Sequence, residues 1–240
     1  MNKSKAISIL IIVAISLLLV FLLSNILLDT KGSINQGNFR INDFVIKSTL
    51  DVEEITSSEE MSSGFESMKL NLSQRNNLSL LIANQIGISE IYIDNISISQ
   101  PSSKGEVLLY QNEEKDEKIS LDSEIVTIYP EEKEGQILIN INVDNVDFLK
   151  DAKLPDDTNS VTFDGTMLNL LDINISDLQM NIKFNINIVD EIGKLNVCKV
   201  SLKVPDEELL NSGISIKRQD LNNYKFSIED SILKKIMNRF

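Results

Sequence analysis

The sequence predicts an all-β body carried behind one N-terminal transmembrane helix and closed by a short C-terminal helix. Three observations lead there. An uncharged aliphatic run extends from Ala6 to Leu28, strict two-residue alternation marks stretches such as MNIKFNINIV, and no long amphipathic helix separates those stretches.

The apolar run is 23 residues long. As a helix, at about 1.5 Å of rise per residue, it reaches ~34 Å and crosses a hydrocarbon core of ~30 Å with some tilt. It is apolar on every face, unlike a helix lying against a soluble core. A cleaved signal peptide is the alternative, but no A-x-A-like site follows, and cleavage after Ser24 would have bulky Leu22 two residues upstream. The expectation is a retained anchor. Lys3 and Lys5 precede the run, while Asp29 and Lys31 cancel after it. The positive-inside bias therefore leaves residues 1–5 as a cytoplasmic tail, 6–28 as the span, 29–38 as a linker, and the rest outside the cell membrane. A lipoprotein would need a Cys at the end of the apolar run, and the single Cys is Cys198.

Composition agrees with that address. One Cys leaves no intramolecular disulfide framework and fits a small buried residue at Cys198. Abundant Ile and Asn, with no Trp and no His, suit a bacterial envelope protein from an AT-rich genome. The Asn-x-Ser triplets at Asn71, Asn77, Asn95 and Asn174 then read as composition, not as glycan acceptors. Net charge is −13, and residues 1–28 carry +2 of it, leaving −15 on the outer part. Such an acidic body disfavours nucleic acid and anionic lipid as main partners.

The strands follow from period two. Met180, Ile182, Phe184, Ile186 and Ile188 share one face, with Asn181, Lys183, Asn185 and Asn187 on the other. Ile137, Ile139, Ile141 and Val143 repeat the pattern, as antiparallel strands with one wet face do. Further strands are expected over 39–47, 77–84, 88–98, 106–111, 125–129, 195–204, 213–217 and 224–229. The apolar phase slips between Val197 and Val200, which predicts a bulge. Residues 51–68 show no clear period and are expected to form a long loop or a short helix over a sheet edge.

LSLLIANQIGISEIYIDNISI (78–98) and the stretch from Asn181 to Val204 each hold a strand, an Ile-Gly turn (Ile86-Gly87, Ile192-Gly193) and a second strand. Each is later followed by a hairpin-like pair, IVTIY with QILININ and ISIK with YKFSI. Duplication is the expectation: a sandwich over 39–145, a seam over 146–160, and a second sandwich with the terminal helix over 161–240. The strand–Asn-x-x-Gly–strand pattern resembles the B–C region of Ig-like modules in prokaryotic surface proteins. That resemblance implies tandem antiparallel Ig-like β-sandwiches and nothing about chemistry.

Chemistry is narrowed by what is missing. Without His, no Ser-His-Asp or Cys-His pair and no His-ligated zinc site can be built. No Gly-rich phosphate loop occurs. No cofactor, catalytic residue or resident metal is therefore expected. Asp156, Asp157, Asn159 and Asp164 offer oxygens of the kind Ca²⁺ takes, but without EF-hand spacing. In EDSILKKIMNRF, helical spacing puts Ile232, Leu233, Ile236, Met237 and Phe240 on one face, with Lys234, Lys235 and Arg239 elsewhere. This helix either closes the last sandwich or meets an envelope partner. The expected function is a membrane-anchored binding or scaffolding protein that does no chemistry. An anchored envelope-polymer hydrolase using paired carboxylates is the alternative, disfavoured by the absence of Trp for sugar stacking.

Overall fold

The two clearest alternating runs, Met180–Ile188 and Ile137–Val143, are strand, whereas the expected strands over 125–129 and 224–229 shorten to Ile125–Thr127 and Ser227–Glu229. The computed structural model describes residues 38–55, 69–84, 86–99, 105–111, 118–121, 123–133, 135–153 and 164–229. The anchor at 6–28 and the terminal helix at 231–240 lie outside the described residues. Among those described, no helix is long and apolar enough to cross a membrane.

The described residues form twelve strands: β1 (Phe39–Ile55), β2 (Lys69–Asn84), β3 (Ile88–Ser99), β4 (Glu106–Gln111), β5 (Lys118–Ile119), β6 (Ile125–Thr127), β7 (Glu131–Lys133), β8 (Gln136–Lys153), β9 (Met180–Asp190), β10 (Leu195–Val204), β11 (Ile214–Arg218) and β12 (Ser227–Glu229). A seven-stranded sheet runs β11-β1-β2-β8-β4-β5, with β7 beside β4 along the edge of β8; a five-stranded sheet runs β12-β10-β9-β3-β6. All pairings are antiparallel, so an all-β architecture is what these residues form. Three short helices, α1 (Thr166–Leu170), α2 (Ile175–Leu178) and α3 (Leu209–Ser212), are the only α-helices among the described residues.

The division into two sandwiches is corrected by this topology. The described residues all fall within one compact unit. β8 runs unbroken from Gln136 to Lys153, through much of the expected seam. Strands from the two expected halves share sheets: β11 pairs β1, and β9 pairs β3. The hairpin-like pairs are not hairpins either. β6 joins β3 in one sheet while β8 lies in the other, and β11 and β12 also part company. Of the two Ile-Gly turns, only the second closes a hairpin. Gly193 (φ 81°) sits in the loop joining β9 to β10, and the Asp190 carboxylate accepts the Lys194 N–H at 2.8 Å. Gly87 instead lies where the chain crosses from one sheet to the other, with its carbonyl accepting the Glu191 N–H at 3.1 Å.

Two further expectations change. The phase slip in β10 is real but is not a bulge, because β9 and β10 stay in register from Leu195↔Val189 to Val204↔Met180. Instead both faces of β10 are buried over Leu195–Cys198. And residues 51–55 continue β1, which pairs with β2 as far as Ile55↔Lys69.

Two hydrophobic cores result. The larger lies between the sheets and includes Phe44, Ile46, Leu78, Leu80, Ile139, Phe184 and Ile186. Cys198 belongs to it, fully buried, and burial pushes its thiol up to about 12. The smaller lies at the far ends of the long strands, where Leu70, Leu72, Phe148 and Ala152 pack with Met167, Leu168, Leu178 and Leu209 of the three helices.

Candidate functional site

The end of α3 sets up an open edge. Gly213 takes the left-handed conformation (φ 71°) that commonly closes a helix, and its carbonyl accepts the Leu50 N–H at 2.9 Å. β11 then pairs with β1 from Thr49↔Ile214 to Val45↔Arg218. No described strand pairs with its other edge. Along β11 the side chains alternate. Ser215 is buried, whereas Ile214 is 47% and Ile216 60% exposed. Arg218 is anchored by Asp43, Nε to Oδ1 at 3.0 Å. The Ser212 hydroxyl donates to the outward Ile214 carbonyl at 2.7 Å, so the stretch of edge that offers backbone groups for an added strand starts at Ile216, with the two exposed isoleucines as its apolar surface.

Beneath this edge a polar row interrupts the core face of the sheet. The even positions of β2 from Leu70 to Ile82 are all fully buried, and two of them are Gln74 and Asn76. Direct partners share a face, so Ser215, Ser48 and Asn76 stand side by side across β11, β1 and β2, with Gln74 and Asn145 one step along. The Asn76 Oδ1 accepts from Ser48 Oγ at 2.7 Å and from Gln74 Nε2 at 3.0 Å, and its Nδ2 donates to the Val143 carbonyl at 2.9 Å. Ser215 donates to Asp206. The row divides the larger core from the smaller one.

On the outer face at the same level, Tyr110 donates to Asp144 Oδ2 at 2.8 Å. Burial, then the bond to Asp144 and its negative charge, raise the phenol above its ordinary value. Arg75 pairs with Asp51 across β1 and β2.

A second surface forms where β8 bulges. Asp147 and Asp151 both take positive φ (51°), and the β2 side chains Ser73 and Asn71 accept their displaced N–H groups at 2.9 and 3.1 Å. An open groove of ≈ 520 Å³ runs beside them, lined by Gly105, Glu106 and residues 146–150. Glu106 and Asp147 both line it, and Asp147 is held by Lys150 at 3.1 Å.

The residues singled out from sequence are only partly placed. Asp156, Asp157 and Asn159 lie outside the described residues, as do Ile232, Leu233, Ile236, Met237 and Phe240. Asp164 is described and serves its own helix: its Oδ1 accepts the Thr166 N–H at 2.8 Å and the Thr166 hydroxyl, which together lower its pKa. No cluster of three or more His, Cys, Asp or Glu suited to a metal ion occurs among the described residues. Sequence reasoning marked the β11 strand without marking it as an edge, and missed the polar row. The signal for the row was present: in LNLSQRNNLSLLI the buried phase carries Gln74 and Asn76 between leucines.

Compared with known proteins, the chain matches no family model, no curated protein and no solved structure.

Proposed function

We propose that this protein is a non-catalytic binding or scaffolding module of the bacterial cell envelope, held at the cell membrane by residues 6–28 with its β body outside. Its partner is another envelope protein that adds an extended segment to the edge of β11. The observation that carries the reading is the 47% and 60% exposure of Ile214 and Ile216 on a strand paired along one edge by β1. Main-chain bonds would supply affinity, and the two isoleucines would select alternating apolar residues in the guest. The acidic body, at −15 beyond residue 28, suits a soluble outer domain that avoids anionic surfaces.

A photo-crosslinking residue at Ile216, compared with one at exposed Ser201 on the other sheet, tests this in the intact cell envelope. The expected result is a discrete crosslinked partner at Ile216 only, lost when Ile214 is changed to Asp. Equal labelling at both sites would overturn the edge. N-terminal sequencing of the membrane-fraction protein tests the anchor, and a start near Asn25 would contradict it.

The groove at the β8 bulges supports the second reading, an anchored hydrolase of envelope polymers, because two acidic residues, Glu106 and Asp147, line it. We place it second because Lys150 engages Asp147 and no Trp is available for sugar stacking. Loss of polymer turnover in both Glu106→Gln and Asp147→Asn would reverse that order.

A further inference from the structure

The outer face of the five-stranded sheet is wet at one end and dry at the other. Register places Asn181, Lys183, Lys199, Ser201 and Lys203 on this face, and all are exposed. On the same face Val197 is 2% exposed, Leu195 4% and Asn187 0%. An outward side chain on an open sheet does not reach such values from its strand neighbours alone, so something overlies this end. None of α1, α2 and α3 is set against this sheet: α1 and α2 join the smaller core, and α3 packs on α1, β1 and β11.

We propose that residues 231–240 of this chain dock on that dry end, laying Ile232, Leu233, Ile236, Met237 and Phe240 over Leu195, Val197 and Tyr92. Three observations commit the surface to this occupant. β12 ends at Glu229, directly opposite Leu195, so the segment starts at the patch. Its length fits: ten helical residues span ~15 Å, and the three strand spacings from β12 across β10 and β9 to β3 come to about 14 Å. Its charge fits as well. Glu90, Tyr92 and Asp94 share the outer face of β3, and Glu229 that of β12, so acidic groups rim the patch while the segment carries Lys234, Lys235 and Arg239. The raised phenol of Tyr92, shifted by burial and then by Asp94, Glu90 and Glu229, reports the same partly covered, acidic surroundings. The apolar face of the segment is thereby used inside the molecule, leaving the β11 edge to serve partners.

The test uses the full chain in mild detergent. Deleting 231–240, and separately Val197→Asp, should each lower the melting midpoint by at least ~5 °C, and the two together should lower it little more than either alone. Additive losses, or a deletion without effect, would overturn the docking. Should the deletion variant not fold, cysteine pairs in a Cys198→Ala background decide the matter. Val197→Cys with Ile236→Cys should form an intramolecular disulfide under mild oxidation. Lys203→Cys with Ile236→Cys should not, since Lys203 lies about 20 Å along β10. Equal reactivity of the two pairs, or a disulfide-linked dimer, would contradict the proposal.

Discussion

The larger core and the smaller core share strands β1, β2 and β8 but are closed by opposite means. Between the sheets the cover is a second sheet: β9 and β10 lie in unbroken register, and Phe44 meets Tyr224 edge to face at 5.1 Å. At the far end the cover is three helices of four or five residues, too short to hold together alone. They depend on local devices: Asp164 on Thr166, the Asp177 carboxylate accepting the Asn174 N–H at 3.0 Å, and Gly165 packed so closely that a Cβ would lie 2.1 Å from the Leu209 carbonyl oxygen. β8 reaches them only by taking extra residues at Asp147 and Asp151. A second sheet thus closes the larger core and short, locally tied helices close the smaller one, which should make the smaller the weaker half, with the Ser48–Asn76–Gln74 row marking the border.

This inequality can be broken by substitution. Phe44→Ala, at a fully buried site, should cost about 3–5 kcal/mol in urea unfolding and lower the whole transition. Leu168→Ala, equally buried in the smaller core, should cost about 2–3 kcal/mol, because short helices settle onto the void. A Leu168→Ala loss as large as that of Phe44→Ala would erase the distinction. Asn76→Ala takes the acceptor from Ser48 Oγ and Gln74 Nε2 and should cost about 2 kcal/mol. Tyr110→Phe, at the same level on the outer face, removes a bond to a carboxylate and should cost ~1.5 kcal/mol at neutral pH.

Tyr110→Phe also carries a pH signature. A phenol whose folded pKa is raised binds its proton more tightly folded than unfolded. Its stabilisation is complete below the ordinary value of 10.0 and is lost as pH rises above it. Cys198, raised from 9.0 to about 12, begins to withdraw stability above pH 9 by the same sign. The unfolding midpoint of the wild type should therefore fall from pH 9 upward, and that of Tyr110→Phe less steeply above pH 10. Smallest of all, Asp151→Gly relieves a left-handed aspartate and should gain about 0.5 kcal/mol.

The sequence made the strands of the larger core legible because they alternate cleanly against water. Met180–Ile188 and Ile137–Val143 stand where the period put them. It hid the pairing. Ile86-Gly87 and Ile192-Gly193 look alike in sequence, yet one crosses between sheets and one closes a hairpin, because partner choice depends on residues far along the chain. The smaller core was hidden for another reason. Leu70 and Leu72 are separated from Leu78 by Gln74 and Asn76, so the apolar phase breaks and the strand reads as ending. The β11 edge could not be read from ISIKR either, since being an edge is a property of the sheet and not of the strand.

Native-state hydrogen exchange under increasing urea tests the two-core account most directly. Amides of Leu78–Ile82 and Phe184–Ile188 should exchange only with global unfolding, together with thiol labelling of Cys198. Amides of Leu70–Leu72, Phe148–Ala152 and Met167–Leu168 should open earlier, by a separate event of lower free energy. A single free energy shared by both sets would show that the polar row divides nothing, and the account of two unequal cores would be wrong.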